Sequence, residues 1–202
     1  MRLYYSTTSP YARIARVALA EKGFGEVDGA LTDPWRDEPG LLAANPSARV
    51  PALVLDSGLP LSESLLIVLW LETRHPVPSL LGPTPDRAIS KAGVAMGAID
   101  AAAALIIGRR LDPRIDESPL GKRRQRAIAN AFERLEADPP RLADGVADLA
   151  VIAAVVLVDY IRFRFAEAAW LPAVPGLDAL AAQARERPSF AHTVPRDMPA
   201  AT

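Results

Sequence analysis

No cysteine occurs in the 202 residues. The chain therefore closes no disulfide within itself, offers no thiolate to a metal and cannot run a dithiol redox cycle. Histidine is almost as scarce. His75 lies in a proline-rich stretch and His192 near the end, so a Ser-His-Asp hydrolase has little to build on. The formal net charge is only -1, without the basic excess that nucleic acid or an anionic membrane surface demands. The one basic run, Lys122-Arg123-Arg124-Gln125-Arg126, reads as the solvated face of a helix. Long apolar runs are missing too. The longest, Leu149 to Val158 between Asp148 and Asp159, is about half of what crosses a bilayer. The amino end has Arg2 followed by polar residues instead of a signal peptide's apolar stretch. These absences lead us to expect no metal, no nucleic-acid or membrane partner, and a cytoplasmic location.

What is present is a chain half apolar, long enough to bury a sizeable core. Up to about Glu72 short β-rich runs (Leu3 to Tyr5, Ala52 to Leu55) alternate with amphipathic helices, the pattern of an α/β unit. After Pro83 no strand signal remains. Pro76, Pro78, Pro83 and Pro85 make a stiff connection. We therefore expect an α/β domain over 1–76, a linker over 77–85 and an all-helical domain over 86–202. Its helices are expected at Asp86 to Leu111, Leu120 to Ala137, Ala147 to Phe165 and Leu177 to Glu186, followed by a poorly ordered Pro-rich tail, Pro195 to Thr202.

Ser9 stands between the strand-like Leu3-Tyr4-Tyr5 and Pro10, which opens a helical run ending at Lys22-Gly23. Serine is a strong N-cap and proline suits the first helical position. This start holds a hydroxyl at a positive helix end, where an anion such as a thiolate is stabilised. Simple capping explains the same pair of residues. Further on, Val50-Pro51 leads into the apolar Ala52-Leu53-Val54-Leu55, and Ser62-Glu63-Ser64 opens a helix over Leu65 to Arg74.

Strand, Ser-Pro helix, the loop Asn45-Pro46-Ser47-Ala48-Arg49, the Val50-Pro51 strand and an acidic-serine helix, in that order, resemble the cytosolic glutathione transferases. Within them the resemblance is to bacterial, serine-type, zeta- or beta-like members. It implies a thioredoxin-like amino-terminal domain followed by a helical bundle, glutathione as co-substrate, a small apolar electrophile or hydroperoxide, and a homodimer.

The resemblance also assigns roles. Ser9 donates its O-H to the glutathione thiolate. Val50, before a cis Pro51, offers its backbone to the peptide-like middle of the ligand. Glu63 meets the ammonium of the γ-glutamyl head and Ser64 its carboxylate. Trp35, Arg36 and Arg49 are candidates for the glycine carboxylate. Tyr5 is a rival thiol donor, ahead of Tyr4. Tyr11, Tyr5 and Asp100 are candidate walls of the electrophile pocket. Arg13 either reaches the pocket mouth or lies on a solvated face. Gly145-Val146-Ala147-Asp148 resembles the family's capping box with Gly145 in place of Ser or Thr. A non-catalytic regulatory or scaffolding protein and a glutathione-dependent isomerase or dehalogenase are the alternatives.

Overall fold

The computed structural model describes residues 1–24, 27–143 and 145–199. They form two compact units, one of Met1–Leu80 with the segment from Arg187 onward, the other of Leu81–Glu186.

In the first unit the order is β1 (Arg2–Tyr5), α1 (Pro10–Glu21), β2 (Asp28–Leu31), α2 (Pro39–Ala44), β3 (Ala52–Val54), β4 (Pro60–Ser62) and α3 (Ser64–Arg74). The sheet order is β2-β1-β3-β4, with β1 parallel to β2 and antiparallel to β3, and β3 antiparallel to β4. Leu3, Ala52 and Leu53 are buried within it. Helix α1 turns Ile14, Val17 and Ala18 inward, at the spacing that puts residues on one face. It stops where Gly23 takes φ +81. There the Phe24 N-H reaches the Leu19 carbonyl and the Gly23 N-H that of Ala20, a glycine-dependent C-cap.

Two elements escaped the sequence pattern. Asp28-Gly29-Ala30-Leu31 has poor strand propensity, and it is a strand because β1 supplies a parallel partner for every residue. The short α2 buries only Leu41 and Ala44.

The second unit holds α4 (Pro85–Gly108), a 3-10 turn (Ile115–Glu117), α5 (Pro119–Glu136), α6 (Leu149–Arg164) and α7 (Pro175–Ala184). Helix α4 packs against both α5 and α6. Its buried residues include Ala88, Ala92, Ala95, Ala98 and Ala102, small side chains that allow close approach. By length and composition α4 is apolar enough to cross a membrane. Its packing within the bundle accounts for the same apolarity. Every residue of α6 from Leu149 to Ile161 is buried. That helix starts two residues later than expected, because Asp148 is itself the N-cap, accepting the Val151 N-H at 2.9 Å.

The carboxy-terminal segment departs from the sequence-based division. A last short helix, α8 (Pro188–Ala191), packs on α1. Beyond it, the Arg196 N-H donates to the Thr7 carbonyl at 3.3 Å and the Thr7 hydroxyl to the Met198 sulfur at 3.3 Å. As far as Pro199, the tail expected to be poorly ordered is built onto the first unit. Polar partners far away in sequence hold it there, and composition does not reveal them.

Candidate functional site

Strand register gathers the candidate residues. Tyr4 pairs with Ala52, and Ala52 with Ser62. The chain leaving β1 toward Ser9, the chain entering β3 through Val50-Pro51 and the chain leaving β4 into Glu63-Ser64 therefore meet at one end of the sheet. Tyr5 pairs with Leu31 in parallel, which brings the loop carrying Trp35 to that end as well. Neighbouring strands lie about 5 Å apart, so these segments flank a common space.

Ser9 caps α1, its Oγ accepting the Ala12 N-H at 3.1 Å. A hydroxyl that accepts one bond still carries its own proton. Ser9 is half-buried, so that proton is available to an anion lying over the helix start. Tyr11, one residue past Pro10, is half-buried on the first turn. Tyr4 and Tyr5 project to opposite faces of the sheet, as successive strand residues must. A Cβ on Gly40 would lie 2.9 Å from the Tyr4 hydroxyl, and one on Gly29 3.1 Å from the Tyr5 ring. Each tyrosine is accommodated by a glycine opposite it. The Arg16 guanidinium sits 4.5 Å from the Tyr5 ring centroid. Along α1, Arg16 is roughly 10 Å from Ser9. Burial lowers the Arg16 pKa, with Arg13 and Arg196 adding to that effect and Tyr5 opposing it.

The Val50-Pro51 bond is cis. Val50 is buried, and its N-H and C=O have no hydrogen-bond partner among the described residues. Backbone groups without a partner beside a strand are what a peptide pairs with. The loop before it is fixed by Asn45, which is 5 % exposed. The Asn45 Nδ2 donates to the Arg49 carbonyl at 2.8 Å, and its Oδ1 accepts the Ser47 N-H at 3.1 Å. In the sequence Asn45 stands out only as part of a loop motif; an asparagine ahead of a turn is the signal for its role.

Glu63 takes φ +67 and ψ 124 at the threshold of α3, a conformation that costs a non-glycine residue of order 1–3 kcal/mol. Among the described residues no side chain caps this helix, so its first N-H groups lie open at the same end of the sheet. Ser64, its first residue, is buried. The Glu63 carboxylate accepts the Arg49 Nη2-H at 2.9 Å. Trp35 is 56 % exposed, and its N-H is held by Asp33 at 3.0 Å. Arg36 is exposed beside it.

Asp100 is an exposed residue of α4 in the second unit. Arg13 is 3 % exposed, which corrects the solvated-face alternative. Its Nε donates to Thr193 at 3.3 Å, a partner that follows α8 in the chain. Among the described residues there is no cluster of three or more histidine, aspartate or glutamate side chains placed to hold a metal.

Known proteins carry the same pattern. The family described as "Glutathione S-transferase, N-terminal domain" matches residues 8–74, a span from just before Ser9 to the end of α3. A glutathione S-transferase from Methylobacterium radiotolerans, solved in complex with glutathione sulfonate, is 32 % identical with a TM-score of 0.86. That match covers 100 % of this chain and 97 % of the other. A second, from Methylobacillus flagellatus with glutathione bound, is 29 % identical at a TM-score of 0.85, covering 96 % of this chain and 99 % of the other. Maleylacetoacetate isomerase of Pseudomonas aeruginosa is 41 % identical over 97 residues, which is 46 % of this chain and 44 % of the isomerase. With both the amino-terminal signature and the full-length architecture matched, the chain belongs to the glutathione S-transferase family.

Proposed function

We propose that the protein is a glutathione-dependent transferase of the serine type. Ser9 steadies the glutathione thiolate for attack on a small apolar electrophile or a hydroperoxide. One observation carries this reading: the capped Ser9 hydroxyl, the unpaired backbone of Val50 and the uncapped start of α3 at Glu63-Ser64 occupy one end of the sheet. These suit the three parts of a γ-glutamyl tripeptide. The γ-glutamyl carboxylate lies against the N-H groups of α3 and Ser64, its ammonium against Glu63, and its peptide middle along Val50 before Pro51. Arg49 and Trp35 are the groups for the glycine carboxylate. The Arg49–Glu63 pair is 64 % and 50 % exposed, and exposed pairs contribute only about 0–1 kcal/mol, so a ligand can part them.

The sulfur rests beside the positive end of α1 and accepts the Ser9 O-H. Both effects favour the thiolate, at about 1.4 kcal/mol per unit of thiol pKa. With an electrophilic carbon the thiolate forms a carbon–sulfur bond and the displaced group leaves with the bonding electrons. With a hydroperoxide it takes the terminal oxygen as the O–O bond breaks and the alcohol leaves, and a second glutathione converts the resulting sulfenic acid to glutathione disulfide and water. Ser9 stays unmodified. Tyr11 would wall the electrophile's approach from the first turn of α1. Isomerisation, in which the thiolate adds to a substrate and is later released, uses the same first step. The identity with maleylacetoacetate isomerase favours it as the second reading. A homodimer and a cytoplasmic setting go with both. Leu66 and Leu69, each 57 % exposed on α3, form an apolar strip suited to a second copy.

Glutathione titration by calorimetry on wild type, Ser9→Ala and Glu63→Ala, with thiolate absorbance followed against pH, tests the proposal. Ser9→Ala should bind almost normally while its thiolate titrates about one unit higher or more. Glu63→Ala should bind about tenfold more weakly. Unchanged thiolate titration in Ser9→Ala would move the donor role to Tyr5. Wild type that ignores millimolar glutathione would instead favour a regulatory or scaffolding protein.

A further inference from the structure

Contacts between α1 and the carboxy-terminal segment occur in order along both. At the end of α1, Glu21 accepts hydrogen bonds from Arg187 at 3.1 and 2.7 Å. Further back, Arg16 Nη2 donates to the His192 carbonyl at 3.2 Å, and Arg13 Nε to Thr193 Oγ1 at 3.3 Å. Ahead of the helix, the Arg196 N-H and the Met198 sulfur both engage Thr7. The segment runs antiparallel to α1 over its whole length. Arg196 and Met198 bring it onto the turn that carries Ser9.

That turn is weakly held by its own atoms. The Ser9 N-H reaches the Ser6 carbonyl at 3.4 Å, and the Ser6 and Thr8 hydroxyls are 3.5 Å apart, both at the outer limit of hydrogen bonding. Thr7, between them, is 7 % exposed. Its carbonyl and its hydroxyl are both engaged by the segment. Catalytic groups tolerate little displacement, since an error of about 1 Å can cost on the order of a hundredfold in rate.

We propose that Thr193–Met198 is a strap that sets the position of the Ser9 hydroxyl through Thr7, which makes Thr7 a positioning residue for the bound thiolate. This rests on the function proposed above. Glutathione is held by β3 and α3 as well as by Ser9, so the strap governs thiolate formation more than affinity.

Two point changes remove the strap's grip without shortening the chain. Arg196→Pro deletes the donating N-H, and Met198→Leu removes the sulfur acceptor at similar volume. Arg196→Lys, which keeps the N-H, is the control. In the double variant, amide exchange at Ser6 to Ser9 should rise about tenfold as the turn opens locally. The glutathione thiolate should titrate about one unit higher, a tenfold loss of anion at a given pH below that range. Affinity should change by less than about threefold, well under the tenfold step worth 1.4 kcal/mol, and the Arg196→Lys control should match wild type throughout. Unchanged exchange would overturn the strap. Faster exchange with an unaltered thiolate titration would also overturn it, reducing the segment to a stabilising contact. A wild-type protein that forms no thiolate with glutathione would overturn the proposed function and the strap's role together, and it would be seen before any variant is made.

Discussion

Lys22 and Glu72 form an ion pair that ties the end of α1 to α3, with the lysine side chain fully buried and the glutamate 13 % exposed. The same ammonium donates to the His75 carbonyl at 2.7 Å. Glu72 also accepts the Leu80 N-H at 2.8 Å and the Ser79 hydroxyl at 2.9 Å. Removing one member leaves a buried charge unmatched, at a cost of about 3–5 kcal/mol. Lys22→Met or Glu72→Gln should each lower unfolding stability by that order in urea titration. The double change to Met and Leu should recover only part of it, because no charge is then left unmatched but the His75 carbonyl, the Leu80 N-H and the Ser79 hydroxyl lose these bonds.

Acid should act through the same carboxylate. Burial raises the Glu72 pKa, but hydrogen bonds from Lys22, the Leu80 N-H and Ser79, with the lysine charge, outweigh burial and hold it below the usual 4.5. A depressed folded pKa stabilises the protein fully above the unfolded value, and that contribution disappears as pH falls through the folded one. The stability gap between wild type and Glu72→Gln should therefore be constant near neutrality and shrink below about pH 4.5. A gap that stays level down to pH 3 would remove Glu72 from the acid response.

At Glu63, backbone and side chain pull in opposite directions. Its φ of +67 suits glycine and strains any other residue. Glu63→Gly should therefore be about 1 kcal/mol more stable than Glu63→Ala. Both should lose glutathione affinity alike, because both lack the carboxylate. Thermal melts and calorimetry on the two variants separate strain from binding.

Gly121 tests the bundle. Helix propensity alone would make Ala better than Gly inside α5 by about 1 kcal/mol. A Cβ there would lie 2.0 Å from the Ile115 carbonyl oxygen and 2.9 Å from the Asp116 backbone. Those are main-chain atoms of the 3-10 turn and cannot rotate away. Gly121→Ala should destabilise by about 1–3 kcal/mol, and a melting temperature equal to or above wild type would show that the turn can yield.

Local chemistry made much of this protein readable. Ser9 and Pro10 announce the start of α1, and Gly23 its end. The sequence motif places Gly145 at the cap and Asp148 at the end of the capping box, whereas Asp148 is itself the cap of α6. β2 was missed because its residues carry almost no strand signal and only pairing with β1 makes them a strand. Arg13 was open to two readings, neither of which included a buried bond to Thr193, because that partner lies near the other end of the chain. Residues of the candidate site could be named individually from motifs. Their common location follows from pairing Tyr4 with Ala52 and Ala52 with Ser62, which no local pattern encodes.

Caps, breakers, helical periodicity and the lack of cysteine depend on neighbouring residues or on composition, so the linear chain alone determined the order of elements, the helical second half and the exclusion of thiol chemistry by its own side chains. Tertiary structure decided which segments share the end of the sheet, that α3 begins without a cap beside Val50, and that the chain beyond α8 returns to Thr7. These are contacts between residues far apart in sequence, whose energies exist only once the backbone has closed on itself.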